Sequence, residues 1–288
     1  MDTTTIFFQA LVSGILNGGI YALVAIGLTL ILGVMNIVNF AHGSMMMLGM
    51  YISYWLFTLL GVDPYLSLLF SVPLLFLFGL VTEKYLIEPV LDSQPFIQVV
   101  LTLGLMLLVE NLITIFFSPD YKAITVSYAS STFGIGGIRV HISRLLASIA
   151  AVVITGLLYI FLKKTDLGKA IRAASQQKDG ALLVGIDVRR IYMISFGIGA
   201  ASVGAAGSLV IPFFYAEPHV GLVFVIIAFV IVVMGGFGNF VGALISGFII
   251  GIAESMGAIF MPGSTKQVII FGLFILLLLF KPTGLLEK

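Results

Sequence analysis

The chain has 288 residues, of which 60% are hydrophobic and 9% charged, with a mean hydropathy of +1.20. An ordinary soluble domain carries about a quarter charged residues, so this composition belongs in a bilayer. A net charge of +1 offers no general attraction for nucleic acid, and the absence of cysteine excludes disulfides, thiolate nucleophiles and Cys-ligated zinc or iron–sulfur centres.

A helix needs about 20 apolar residues to cross a hydrocarbon core of about 30 Å. In chain order, runs with little or no charge occupy residues 6–35, 43–62, 65–82, 96–117, 145–162, 191–211, 222–253, 255–265 and 267–280. The first lacks the basic n-region and early small-residue cleavage pattern of a secretory signal, and reads as mature membrane structure. Its 30 residues make about 45 Å of helix, which predicts either a tilt or a break at Asn17-Gly18-Gly19. The 222–253 run is too long for one crossing. GGFGN at 235–239 divides it into segments at 222–234 and 240–258, the second absorbing Glu254. The expected fold is all-α: a polytopic membrane domain over residues 1–288 with nine crossings and no loop long enough to hold a soluble domain.

Orientation follows from lysine and arginine in the short loops. Residues 163–190 hold Lys163, Lys164, Lys169, Arg172, Lys178, Arg189 and Arg190, seven of the 14 basic residues, and are expected to be cytoplasmic. Nine crossings then put the N-terminus outside and the tail, with Lys281 and Lys288, inside. The loop at 118–143 falls outside although it carries Lys122 and Arg139, and its STFGIGGIRVHI has the alternation of a small hairpin. Aligning Asn39-Phe40 with Asn239-Phe240 lays one broken apolar pair over another, as an internal inverted repeat would, although two shared residues also fit chance.

Polar groups inside the apolar runs are few. MNIVNFAHGSMMMLGMY (35–51) gathers Asn36, Asn39 and His42. On one reading residues 36–43 form a cytoplasmic turn with Asn39 capping the next helix. On the other the turn is drawn into the membrane and lines a pathway, since irregular backbone survives there only inside protein or beside water. Glu110 with Asn111, and Glu254, would be coupling groups in an ion-driven carrier, or hydrogen-bonding groups between packed helices. Glu83, Lys84, Glu88 and Asp92 read as an interfacial segment, with Pro89 and Pro95 limiting helix length. Small residues at four-residue spacing (Gly197, Ala201, Ala205; Ala200, Gly204, Ser208; Gly14, Gly18; Gly247, Gly251) predict close helix approach, within the subunit or against a second one.

Enzymatic motifs are missing. The Gly168-Lys169 pair is followed by Ala170, with no P-loop around it, and neither H-E-x-x-H nor G-x-S-x-G occurs. His42, His141 and His219 are far apart in sequence. The chain is therefore expected not to be an enzyme, and energy for uphill movement must come from an ion gradient or a partner. Within the basic loop, ALLVGI (181–186) is an apolar patch that something should cover. It suits a short helix whose Leu182, Leu183 and Ile186 enter a groove on another protein, or one that folds back on the chain's own helix ends.

Three ordered segments carry a resemblance. LGKAIRAASQQKDGALLVGIDVRRIYMISFGIGAASVGAAGSL, NGGIYALVAIGLTLILGVMNIVNFAHGSMMMLGMY and AFVIVVMGGFGNFVGALISGFIIGIAES resemble the permease subunits of ABC importers for branched-chain amino acids, the LivH type, over residues 9–284. The resemblance implies that the 163–190 loop is a coupling loop docking on a cytoplasmic ATPase, with Asp179, Gly180, Ala181, Leu182, Leu183, Gly185 and Ile186 at its core. Asp-Gly-Ala stands where the family usually has Glu-Ala-Ala, and Gly180 weakens a helix by about 1 kcal/mol. It further implies an inner-membrane location, a second homologous permease, two ATPase subunits that bind the ATP, and an extracytoplasmic binding protein. No cofactor would be held by this chain. Asn36, Asn39, His42, Glu110, Asn111 and Glu254 are then the candidate pathway residues. Urea, short amides or other amino acids are the alternative cargo, and an ion-driven secondary transporter is the alternative class.

Overall fold

Inside a bilayer the backbone must satisfy its own hydrogen bonds, and an apolar chain does so as helices. The computed structural model describes residues 3–129, 131–260, 263–281 and 284–285; Lys288 of the expected cytoplasmic tail lies outside these. The helices are α1 (Thr3–Met35), α2 (Ala41–Leu60), α3 (Leu68–Thr82), α4 (Pro95–Phe117), α5 (Ile142–Lys164), α6 (Asp166–Gln176), α7 (Lys178–Leu183), α8 (Val188–Val210), α9 (Val220–Gly235), α10 (Phe240–Phe260) and α11 (Gln267–Phe280). Among the described residues seven helices are long and apolar enough to cross a membrane, α3 together with its continuation to Val90, while the apolar α9 and α11 are shorter. This is a multi-pass membrane protein.

Its centre is α1, whose residues from Ala22 to Leu32 are all buried, with α5, α8, α9 and α10 packed around it. No break occurs at Asn17-Gly18-Gly19: α1 runs unbroken for 33 residues, so that expectation is corrected. The glycines serve packing instead. A Cβ on Gly18 would lie 2.8 Å from Phe248 Cα, and one on Gly19 would lie 2.7 Å from Ser148 Oγ. Backbone approach of this kind supplies the dispersion contacts that hold helices together where lipid gives no hydrophobic drive. The other small-residue faces are likewise used within the chain: Gly251 meets Gly14, Gly197 and Gly204 meet α3, and Gly207 meets α2. The division at 235–239 is as expected, with Gly236 and Gly238 at positive φ (93° and 73°) turning the chain from α9 into α10.

The second packing theme is polar and local. Ser53 of α2 bonds Ser67 (2.5 Å) and Ser208 of α8 (2.7 Å), and Ser208 bonds Ser71 of α3 (2.7 Å), all four fully buried. Hydroxyls satisfied by one another in this way fix the register of three helices without leaving an orphan donor.

The loop face opposite the basic loop is knitted across sequence. β1 (Thr132–Ile135) and β2 (Ile138–His141) form the expected hairpin, and Lys122 and Ala216 exchange backbone hydrogen bonds. Tyr128 donates to Asp63 (2.7 Å) and stacks on Tyr65, whose own hydroxyl donates to the Ser143 carbonyl. Burial first, then the bond to Asp63, pushes the Tyr128 phenol above its ordinary range, and burial does the same for Tyr65. The stability both supply is therefore complete below the ordinary tyrosine pKa of about 10 and is lost progressively above it. Replacing Tyr128 by Phe should cost about 1 kcal/mol, read as a lower thermal midpoint in detergent; an unchanged midpoint would show that the bond to Asp63 contributes nothing.

Candidate functional site

The polar segment at 36–43 does not form an ordinary surface turn. Asn36 sits at φ 55° and its N–H bonds the Leu32 carbonyl (2.9 Å), a left-handed stop that asparagine tolerates. Its side chain is exposed. From there the chain turns back alongside α1. The Thr102 hydroxyl of α4 donates to the Val38 carbonyl (3.0 Å), and His42 Nε2 bonds the Val24 carbonyl (3.0 Å). Val24 lies 11 residues before the end of α1, about 16 Å at 1.5 Å per residue. The linker at 36–40 and the reach of the His42 side chain together span that climb. The segment is thus re-entrant, and α2 begins inside the molecule.

The expected cap is corrected at the same place. Phe40 occupies the N-cap position of α2 and no side chain caps the helix. Asn39 is fully buried, and neither of its amide atoms has a hydrogen-bond partner among the described residues; the same holds for Nδ1 of the buried His42. Buried polar atoms left unpaired are rare in native proteins and point to a role other than packing.

Gly43 meets Gly221 backbone to backbone, so the start of α9 lies beside the start of α2. Gly221 is 14 residues from the end of α9, about 21 Å. Two helix N-termini therefore meet inside the helix bundle, well away from the ends of α1 and α9. Facing them is Glu110 of α4, which is buried and accepts a bond from Ser44 of α2 (3.5 Å) while its other oxygen pairs with His219 Nδ1 (2.9 Å) at the N-cap of α9. The positive ends of both helices compensate a carboxylate in this position. Asn111 is not part of this group: its exposed side chain bonds the Leu107 carbonyl of its own helix. His219 was missed by sequence reading, and its only signal was its place just before an apolar run.

Glu254 lies on another side of α1. It is buried in α10 and accepts a bond from the Tyr21 hydroxyl (2.6 Å). The candidate pathway residues thus occupy three places: Asn36 at the turn, Asn39, His42 and Glu110 around the start of α2, and Glu254 across α1.

The basic loop forms α6 and α7. Thr165 caps α6 by accepting from the Gly168 N–H, and α6 packs against α1, α5 and α8. In α7, Gly180 is accommodated within the helix and Gly185, at φ 82°, closes it, with Ile186 N–H reaching the Ala181 carbonyl (3.0 Å). Ala181 is buried, whereas Leu182, Leu183 and Val184 are 51%, 88% and 76% exposed. The patch does not fold back, except that Ile186, expected to project, packs half-buried against the core while Val184 projects instead. Lys178 and Arg189, on either side of the patch, pair with Asp92 (3.5 Å) and Glu88 (3.4 Å) in the segment that follows α3. Within that segment Glu83 is corrected from interfacial to buried: the helix continues through the apolar Leu86 and Ile87, which carries Glu83 inward, and neither carboxylate oxygen has a hydrogen-bond partner among the described residues.

Residues 10–278 match the family described as branched-chain amino acid transport system, permease component. The chain is 32% identical to the high-affinity branched-chain amino acid transport system permease protein BraD of Pseudomonas aeruginosa, covering 98% of this chain and 96% of the relative. It is 30% identical to LivH of Escherichia coli K12 over the same shares of both chains. A probable branched-chain amino acid transport permease protein LivH of Methanocaldococcus jannaschii is 32% identical over 84% of this chain and 78% of its own length. No solved structure matches the chain.

Proposed function

The chain belongs to the branched-chain amino acid transport permease family, and from that membership we propose that it is the transmembrane subunit of a binding-protein-dependent ABC importer, passing branched-chain amino acids by alternating access. It pairs with a second, homologous permease and with two cytoplasmic ATPases, which bind the ATP. An extracytoplasmic binding protein delivers the substrate. The basic 163–190 loop then faces the cytoplasm and the hairpin face the outside, as the distribution of lysine and arginine favours. The N-terminus lies outside and the C-terminus inside.

The observation that carries this reading is the exposed Leu182-Leu183-Val184 patch held out on a braced helix. A groove on an ATPase is the surface such a patch fits. Force applied to α7 passes through the Lys178–Asp92 and Arg189–Glu88 pairs to the foot of α3 and the start of α8. α8 contacts α2 through Gly204 and Gly49, so the displacement reaches the start of α2 with Asn39, His42 and Glu110. A change in partner affinity between two states is what such a relay requires. Affinity purification of the tagged chain from its native membrane should bring down an ATPase and a second permease, and recovery of the chain alone, fully folded, would count against the assignment.

Asn39 and His42 line the pathway in this reading, with Glu110 and Glu254. Replacing Asn39 by Ala or His42 by Phe should lower the uptake rate about tenfold, a rise of about 1.4 kcal/mol in the barrier, while the subunit still assembles with its ATPases. Loss of assembly with unchanged rate per assembled complex would make these residues structural.

A further inference from the structure

A cleft on the basic-loop side takes no part in the relay. It lies between α1, α5, α6 and the turn from α9 into α10, with a volume of about 400 Å³, within the range of about 300–1,000 Å³ typical of small-molecule sites. Two cations line it, Lys163 next to the last residue of α5 and Arg172 of α6, together with Ser175 and Asn239. No carboxylate does. Asn239 uses its carbonyl oxygen on the Gly242 N–H (2.9 Å), which leaves its NH2 to donate.

Both cations are positioned by contacts that leave their charge in place. The Lys163 ammonium lies over the Tyr159 ring, 5.6 Å from its centre, and the Arg172 guanidinium donates to the Lys163 carbonyl (3.3 Å). Among the described residues neither forms an ion pair, and Asp166, the acid nearest to both in sequence, is held by Lys169 (2.9 Å). Two cations on one cleft repel each other, and an anion between them removes that cost. The mouth of the cleft is apolar. Tyr159, Phe237 and Val241 line it and are exposed. The exposed apolar surface continues at helical spacing along α5 through Leu157 to Val153 and along α10 to Ile245.

We propose that this cleft holds the headgroup phosphate of an anionic phospholipid from the cytoplasmic leaflet, with Arg172 and Lys163 on the phosphate and the acyl chains along the exposed faces of α5 and α10. The proposal rests on the cytoplasmic placement of the basic loop given above. A basic pocket between helix ends at the inner interface is where such headgroups bind. A guanidinium grips two phosphate oxygens through parallel bonds, and a lysine at a helix end adds a point charge at headgroup level. A soluble phosphate would meet the charges and leave the apolar mouth uncovered. The lipid would brace α6, which leads into α7, against α1 and α5.

The test uses the full permease complex in detergent, with dioleoylphosphatidylglycerol or dioleoylphosphatidylcholine added and bound lipid counted by native mass spectrometry. Phosphatidylglycerol should be retained over phosphatidylcholine. The double variant Lys163→Gln, Arg172→Gln should hold it about 10- to 100-fold more weakly. Lys164→Gln with Lys169→Gln removes the same charge from the same loop outside the cleft and should bind as the wild type does. Arg172→Lys, which keeps the charge and loses the fork, should lose less than Arg172→Gln. Equal retention of the two lipids by the wild type overturns the proposal, and so does equal loss in both double variants, which would mean diffuse surface charge. Displacement of the lipid by glycerol phosphate at equal concentration overturns it in favour of a soluble anion. Crosslinking of a photoprobe on Val241→Cys to a second permease overturns it by showing the mouth to be a subunit contact. The chain has no native cysteine, so labelling of the exposed Gln176→Cys by a membrane-impermeant maleimide reads the orientation separately: labelling from the cytoplasmic side alone upholds it, and labelling from outside overturns the leaflet assigned here. ATP-driven leucine uptake by the wild-type importer, measured in parallel, survives if only the cleft fails.

Discussion

Leu183→Glu should abolish ATP-driven uptake while leaving the subunit inserted, folded and able to reach the membrane in normal amount. The side chain is 88% exposed in the isolated chain, so the substitution disturbs no internal contact. In the docking proposed above, it removes a buried leucine and forces an unpaired carboxylate into an apolar groove, together at least about 3 kcal/mol of docking, or about 100-fold in affinity. Two measurements check this: uptake by the reconstituted importer, and stimulation of ATP hydrolysis by loaded binding protein. Both should fall together. Leu182→Ala, at a side chain 51% exposed and only truncated, should lose less. Normal uptake by Leu183→Glu would remove α7 from the coupling path.

Gly43→Val should prevent the fold from forming. A Cβ at Gly43 would lie against the Gly221 carbonyl oxygen, and a Cβ at Gly221 against Gly43. Both obstacles are backbone, so no side chain can swing aside. Overpacking of this sort costs about 3 kcal/mol or more, and here it pries apart the two helix starts that face Glu110. The control is Gly104→Val on α4, where a Cβ meets nothing within 4 Å. Extracted Gly104→Val protein should run as a single species, and Gly43→Val protein should aggregate or be degraded. Equal yields of both would mean that α2 and α9 do not meet as described.

Legibility in the sequence followed the physics of each feature. The apolar runs and the GGFGN division were readable because length and glycine act locally. The loop charges were equally plain, and so was ALLVGI as a patch in need of cover, because a hydrophobic segment among seven cations conflicts with its surroundings. Other features depended on neighbours distant in sequence. Asn17-Gly18-Gly19 reads as a break only until α10 and α5 are seen to need the missing side chains. Asn39 reads as a cap until the linker is seen to climb beside α1, which moves it from an interface into the core. Glu83 reads as interfacial because charge density marks membrane edges, a rule that says nothing about one carboxylate carried inward by a continuing helix. His219 had no local signal beyond its place before an apolar run, since its partner comes from another helix.

Uptake by reconstituted vesicles separates the two energy sources directly. Vesicles holding this chain with its permease partner, both ATPases and external binding protein should accumulate leucine only when ATP is supplied on the ATPase side, and vesicles holding the chain alone should accumulate none under a proton or sodium gradient. Concentration of leucine by the chain alone on an ion gradient would contradict the coupling role of α7 and make Glu110 and Glu254 the driving groups instead.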